Sequence, residues 1–457
     1  MVRHAVALAL ILAMTAGCTT FRDEPISPET SAAAFEARRL DSPELKTFLE
    51  AGLHRELAPW PPKAWGLDLL ALAACHYHPQ VKVAQAKWEV AEAGIVTARE
   101  WLNPTLRLTP QYVTNTAGGI SPWIVASSVR AAIETAGKRG YRIARAQNLA
   151  TAARLNMATV AWQVHSRART SLLDLYAALH TESLQQEQVQ LQKQTVEMQE
   201  NQLQRGEISQ LVLSQGRISL DQARLSLIQT SKRVAEDRAA LAAALALPEA
   251  ALNGIDLSFT CLEKAPPSLP ALEVRKAALW SRPDVLSSLS DYQAAQSALQ
   301  LEIAKQYPDI SLGPAYEFDQ GQNEWGISLA VTLPVLNQNQ GPIAAAEAKR
   351  QEAAARFYDL QISVISQVEQ AATGYAKALD VLKVAESILA QRVAQERATQ
   401  RQFEVGDISR LELLTVELDR NAASLSRLQS FVGVQQALGT LEDAVMRLLV
   451  CEDSTES

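Results

Sequence analysis

Aromatic residues are scarce in this 457-residue chain, at 5%, and there are only 4 cysteines. Its cohesion therefore cannot come from large ring-filled cores. The Ala, Leu, Gln and Glu that dominate instead favour long helices. A basic excess is also missing. The net charge is −7, and no Lys/Arg cluster is interleaved with aromatics, which excludes a nucleic-acid partner. Beyond the N-terminus no stretch reaches the roughly 18 unbroken apolar residues of a membrane-spanning helix. Glycine and proline are absent from Tyr141 to Arg205. As one helix that stretch is roughly 100 Å long at 1.5 Å per residue, too long to bury in a globular domain. An elongated molecule follows.

Catalytic chemistry is lacking as well. The serines have no nucleophile-elbow context, and "GKRG" at 137–140 lacks the glycines and following Ser/Thr of a phosphate loop. His76 and His78 flank Tyr77 next to Cys75, but residues two apart on a helix do not face each other, so no metal site is expected. No cofactor and no enzyme activity are expected.

What is present begins with an address. Arg3 and His4 precede the apolar run Ala5 to Met14, and "TAGCTT" follows. A charged start, a short apolar core and small residues make residues 1–17 a secretory signal. The segment resembles a bacterial lipobox, with Cys18 as the lipidated mature N-terminus, although Thr15 replaces the usual leucine. Export places Cys75, Cys261 and Cys451 in an oxidising compartment, where at most one intrachain pair can form.

The rest of the chain is written twice. "HPQVKVAQAKWEVAEAGIVTAREWLNPTLRLTP" from His78 parallels "RPDVLSSLSDYQAAQSALQLEIAKQYPDISLGP" from Arg282. Pro79, Pro104, Trp123, Gly140 and Gly206 match Pro283, Pro308, Trp325, Gly341 and Gly406 in order, at an offset of about 200 residues. Each copy reads as a helix, two strands, a very long helix, a Gly-acid-Ile-Ser turn and another long helix. Repeat 1 covers 66–247 and repeat 2 covers 281–450.

The strands are expected at about 104–115, 122–134, 308–318 and 324–334. Ile327, Leu329, Val331 and Leu333 alternate with Ser328, Ala330 and Thr332, and Leu106, Leu108 and Tyr112 alternate with Arg107, Thr109 and Gln111. Such alternation suits a transmembrane barrel strand and equally a half-buried soluble sheet. Four strands cannot close a barrel in lipid, so a membrane reading requires oligomerisation. In the helices, Leu211, Ile218 and Leu225 form one seven-residue line, and Leu213, Leu220, Leu227 and Val234 a second. Before the turn, Leu184, Leu191 and Met198 parallel Val189, Val196 and Leu203. Two lines on one helix imply a neighbour on each flank, as in the wall of a tube. In repeat 2 the second line is interrupted by Arg420 and Arg427.

Several phrases carry a family resemblance: Asn103-Pro104, Pro122-Trp123, "IETAGKRGYRIARAQ" from Ile133, "YPDISLGPAYEFDQG" from Tyr307 and "LPVLNQNQGPI" from Leu333. With the two turns they make residues 66 to 450 resemble the TolC-type outer-membrane efflux channels, and the heavy-metal (cobalt–zinc–cadmium) branch in particular. The resemblance implies a mainly α homotrimer. Its twelve-stranded outer-membrane β-barrel would continue into a periplasmic α-helical barrel. An equatorial belt would be formed by 18–65, the linker 248–280 and the tail 451–457. It implies a passive exit duct for metal cations, lipid-anchored in the bacterial outer membrane. Its partners would be a periplasmic membrane-fusion adaptor and an inner-membrane resistance–nodulation–division pump. A duct for drugs, and a periplasmic coiled-coil scaffold lipoprotein, are the alternatives.

On that resemblance the adaptor-contact tips are Gly206, Glu207, Ile208, Ser209 and Leu211, with Gly406, Asp407, Ile408, Ser409 and Leu411. The glycines adopt left-handed caps, and each acid and serine caps the next helix. Glu412 is expected in a gate ring. Cys261 and Cys451 are the expected disulfide, because both fall in the belt.

Overall fold

The computed structural model describes residues 20–266 and 278–449. The signal segment, Cys18 and Cys451 lie outside the described residues. In chain order the elements are α1 (Pro28–Glu36), α2 (Pro43–Leu53), α3 (Leu67–Tyr77), α4 (Pro79–Arg99), β1 (Thr105–Tyr112), β2 (Trp123–Ile133), α5 (Lys138–Gln204) and α6 (Gln210–Ala244). Then follow α7 (Pro283–Ala304), β3 (Ile310–Asp319), β4 (Gln322–Val331), α8 (Gln340–Glu404) and α9 (Arg410–Val445). Both copies therefore share one plan, and α5 and α8 are 67 and 65 residues long.

Each first helix of a copy starts at a proline, Pro79 or Pro283, where the missing N–H costs nothing. The four strands make one antiparallel sheet in the order β1-β2-β3-β4. The two hairpins differ at their tips. Gln320 and Gly321, both at positive φ, close β3–β4 as a two-residue turn between the paired Asp319 and Gln322. The strands are shorter at their tunnel ends than the alternation suggests. β1 starts after Pro104, which cannot donate to a ladder, and β4 ends at Val331 because its partner β3 begins at Ile310.

The long helices run side by side. α9 lies antiparallel along α5. Arg410 Nη2 donates to Gln194 Oε1 at 3.1 Å, Asn421 Nδ2 to the Leu184 carbonyl at 3.1 Å, and Arg169 Nη2 to the Gln435 carbonyl at 3.0 Å. Both expected seams of α5 are used. Val189, Val196 and Leu203 pack against Leu213 and Leu220 of α6, while the Leu184 flank faces α9.

The core sits midway along this rod. Leu45, Leu49, Trp65, Leu70, Leu247, Leu252 and Leu262 pack against Leu172 and Tyr176 of α5, Val364 and Tyr375 of α8, and Val434 and Leu438 of α9. Trp65 N–H donates to the Asp256 carbonyl and Ser258 N–H to the Trp65 carbonyl, both at 2.9 Å, tying the N-terminal segment to the inter-repeat segment. The N-terminal and inter-repeat segments thus lie in the main apolar cluster, together with the middle of α5, α8 and α9.

Candidate functional site

The two interhelix turns have the same geometry. Gly206 and Gly406 sit at φ of 74° and 83°. Gly206 N–H donates to Leu203 O at 2.9 Å and Glu207 N–H to Gln202 O at 2.9 Å. Gly406 N–H donates to Phe403 O at 3.0 Å and Asp407 N–H to Gln402 O at 2.9 Å. Each is a Schellman cap, and its left-handed residue is glycine because a Cβ would strain it.

The next helix starts differently in the two copies. Ser409 Oγ accepts from Glu412 N–H at 3.3 Å, and Glu412 Oε2 accepts from Ser409 N–H at 2.7 Å, a reciprocal capping box. These bonds hold the Glu412 carboxyl below its usual range, the backbone donor contributing most. Ser209 makes no side-chain cap, contrary to expectation, because Val212 occupies the place of Glu412 and cannot reciprocate. Neither Glu207 nor Asp407 caps its helix; Glu207 Oε1 pairs with Arg205 Nε at 2.9 Å. Ile208, Ile408 and Leu411 are half-buried, and Leu211 is exposed.

One flank of α6 is left open among the described residues. Leu213 and Leu220 of α6 are 3% and 6% exposed, whereas Leu211 and Ile218 on the other line are 77% and 51% exposed. In repeat 2 the arginines that interrupt the line make ion pairs. Arg420 bridges Glu187 of α5 and Glu396 of α8, and Arg427 reaches Glu386 of α8 at 3.6 Å.

The sheet has an apolar and a polar face. Trp325 and Ile327 are each 79% exposed, and Leu106, Leu108 and Leu329 share their face. Tyr112 stacks edge-on to Trp123 at 5.1 Å and Tyr316 lies 4.8 Å from Trp325, one aromatic pair toward the tip of each hairpin. Sequence reading missed these cross-strand pairs. Their signal was a Tyr on the first strand and a Trp on the second strand of each hairpin; the register sets the Tyr316–Trp325 row level with Leu108 and Ser127, inward of the Tyr112–Trp123 row. β1 and β4 leave an open edge each. Among the described residues no helix is long and apolar enough to cross a membrane.

His76, His78 and Cys75 are occupied locally. His76 stacks on Phe48, His78 Nδ1 accepts the Gln80 N–H at the start of α4, and Cys75 Sγ donates to the Ala161 carbonyl. Cys261 is disulfide-bonded, with its partner outside the described residues, and Cys75 is free.

A family model described as outer membrane efflux protein matches residues 71–247 and 274–445, one segment for each repeat. The chain belongs to the outer membrane efflux protein family. It is similar to the cobalt-zinc-cadmium resistance protein CzcC of Cupriavidus metallidurans, at 24% identity over 79% of this chain and 85% of that one. In fold it is similar to the outer membrane protein VceC of Vibrio cholerae, with a TM-score of 0.66 at 16% identity, covering 83% of this chain and 95% of the other. The Campylobacter jejuni CmeC outer membrane channel gives a TM-score of 0.65 at 14% identity, covering 94% of each chain.

Efflux channels of this family are passive homotrimers of the outer membrane that work with adaptor proteins and resistance–nodulation–division pumps. Three copies of the four-stranded sheet supply the missing edges.

Proposed function

We propose that this efflux channel is the exit duct for heavy-metal cations expelled by a tripartite pump. The observation that carries the cation reading is the similarity to CzcC across both repeats. Deleting the gene should sensitise cells to cobalt, zinc and cadmium salts while leaving tolerance to organic drugs unchanged. Drug sensitisation alone would support a drug duct instead, and no sensitisation with a periplasmic monomer would support a scaffold.

Gly206 to Leu211 and Gly406 to Leu411 form the adaptor-contact tips. The matching Schellman turns support this, since six like tips in a trimer reward repeated weak contacts through multivalency. Ile408→Asp should leave trimers intact and abolish adaptor crosslinking and efflux; full crosslinking would leave the tips as turns alone. Glu412 lines the closed end as a threefold ring. Oε2 is engaged by Ser409, and Oε1 remains for the lumen. Cys18 carries the lipid anchor, so labelled palmitate should enter the wild type and vanish in Cys18→Ala. Cys451 is the partner of Cys261, a reading supported by the bonded state of Cys261 and the free thiol of Cys75.

A further inference from the structure

The polar face of the sheet carries five charged side chains between its two ends, and register sorts them by height. Counting from the tunnel end, Thr105 pairs with Arg130, and the next row on this face holds Arg107, Ser128, Ala315 and Gly326. One row further out come Thr109, Ala126, Glu317 and Glu324, and beyond them Gln111, Ile124, Asp319 and Gln322. Both bases therefore lie on the tunnel side and all three acids on the outer side. The bases also belong to the first hairpin and the acids to the second.

Two features make this sorting more than composition. Glu317 and Glu324 are directly opposite across β3–β4, an arrangement that destabilises a strand pair through like-charge repulsion. Around them the row is small or neutral, and none of the five charges forms an ion pair among the described residues. No group of His, Cys, Asp and Glu among the described residues could hold a metal ion. Carboxylates of one sign gathered at one level act on ions through their field.

We infer that the barrel lumen is charge-segregated along its axis, with an arginine zone next to the tunnel and a carboxylate ring at the outer mouth that sets the channel's cation preference there. This rests on the efflux-duct reading, in which the polar face lines the pore. In a trimer the ring holds six glutamates and three aspartates. A ring of one sign concentrates counter-ions, and the arginine zone behind it makes the field asymmetric. Trivalent cations entering from outside meet the ring first, whereas those entering from the tip side meet the arginines first.

The test uses full-length trimers in planar bilayers of known orientation, in wild-type and Glu412→Gln backgrounds, with a trivalent lanthanide ion as blocker. Block from the barrel side should weaken about tenfold or more in Glu317→Gln/Glu324→Gln, with block from the tip side unchanged. Arg107→Gln/Arg130→Gln should reduce current asymmetry and leave barrel-side block in place. Glu→Gln keeps side-chain size and Arg→Gln keeps a polar side chain, and heat-sensitive trimers confirm assembly. Equal barrel-side block in wild type and Glu317→Gln/Glu324→Gln would overturn the inference. Absence of any wild-type conductance would sink the duct reading itself.

Discussion

Arg169 is buried where α5 meets α9, and its surroundings show what a single residue decides. Its Nε lies 3.1 Å from Glu442 Oε2, and its Nη2 donates to the Gln435 carbonyl. Gly439 makes room for it: a Cβ there would stand 2.3 Å from Arg169 Nη1. Breaking a buried pair by removing one partner costs about 3–5 kcal/mol. Gly439→Ala should displace the guanidinium and lower the temperature at which trimers dissociate in detergent, and Arg169→Met should lower it further. Nearby, burial and the Arg169 charge hold the His165 imidazole below its usual range, against a smaller opposing pull from Asp443. The unfolded chain takes up that proton near pH 6.5 and the folded one resists it, so the stabilisation is complete above about pH 6.5 and is lost as pH falls. His165→Gln should flatten the fall in dissociation temperature between about pH 6.5 and 5. His76 and His78 are shifted the same way, by burial first, and add to the slope in the same direction.

At the scale of elements, the two hairpins below the belt are fastened by different proportions of apolar burial and ion pairing. α5 and α6 share an apolar seam, Val196 against Leu213 and Leu220. Where α9 lies between α5 and α8, buried Leu413, Leu414 and Leu428 are joined by a series of ion pairs, Arg420 with Glu187 and Glu396, Arg427 with Glu386 and Arg392 with Asp419. Leu220→Ala should cost about 2–5 kcal/mol of hairpin stability, read by chemical denaturation. Ile218→Asp, on the exposed line of the same helix, should leave the hairpin's own stability unchanged and block trimer assembly on native gels. Adding salt should weaken the α9 contacts more than the α5–α6 seam, because exposed ion pairs are screened and apolar burial is not.

For the whole molecule, the belt is the fastening point of a long thin rod. The N-terminal segment is pinned there by Arg38, whose Nη1 donates to the carbonyls of Tyr77 and Ala246 at 3.2 and 2.8 Å. A bridge from Cys261 to Cys451 would fasten the C-terminal tail to the same belt. It would close a loop of about 190 residues, for which chain-entropy models give roughly 5 kcal/mol. Cys261→Ser and Cys451→Ser should each make the tail susceptible to limited proteolysis and lower the dissociation temperature equally. A bridge to Cys18 instead would leave Cys451→Ser without effect.

The repeat, both glycine turns, the strands to within a few residues and the oligomer requirement were all legible in the chain. They depend on local rules: proline and glycine punctuate backbone geometry, and the period of the apolar residues reports which faces are covered. The aromatic pairs were not read because a cross-strand contact depends on register. The capping box at Glu412 and its absence at Ser209 turned on a single substitution, Val212, inside otherwise matching motifs. Arg420 and Arg427 read as interruptions in a line, and only packing supplied Glu187, Glu396 and Glu386 as partners. Local pattern fixes which elements form and which faces they bury. Distant side chains meet according to how the elements pack, and here that brought Arg169 to Glu442 and sorted the sheet's bases from its acids.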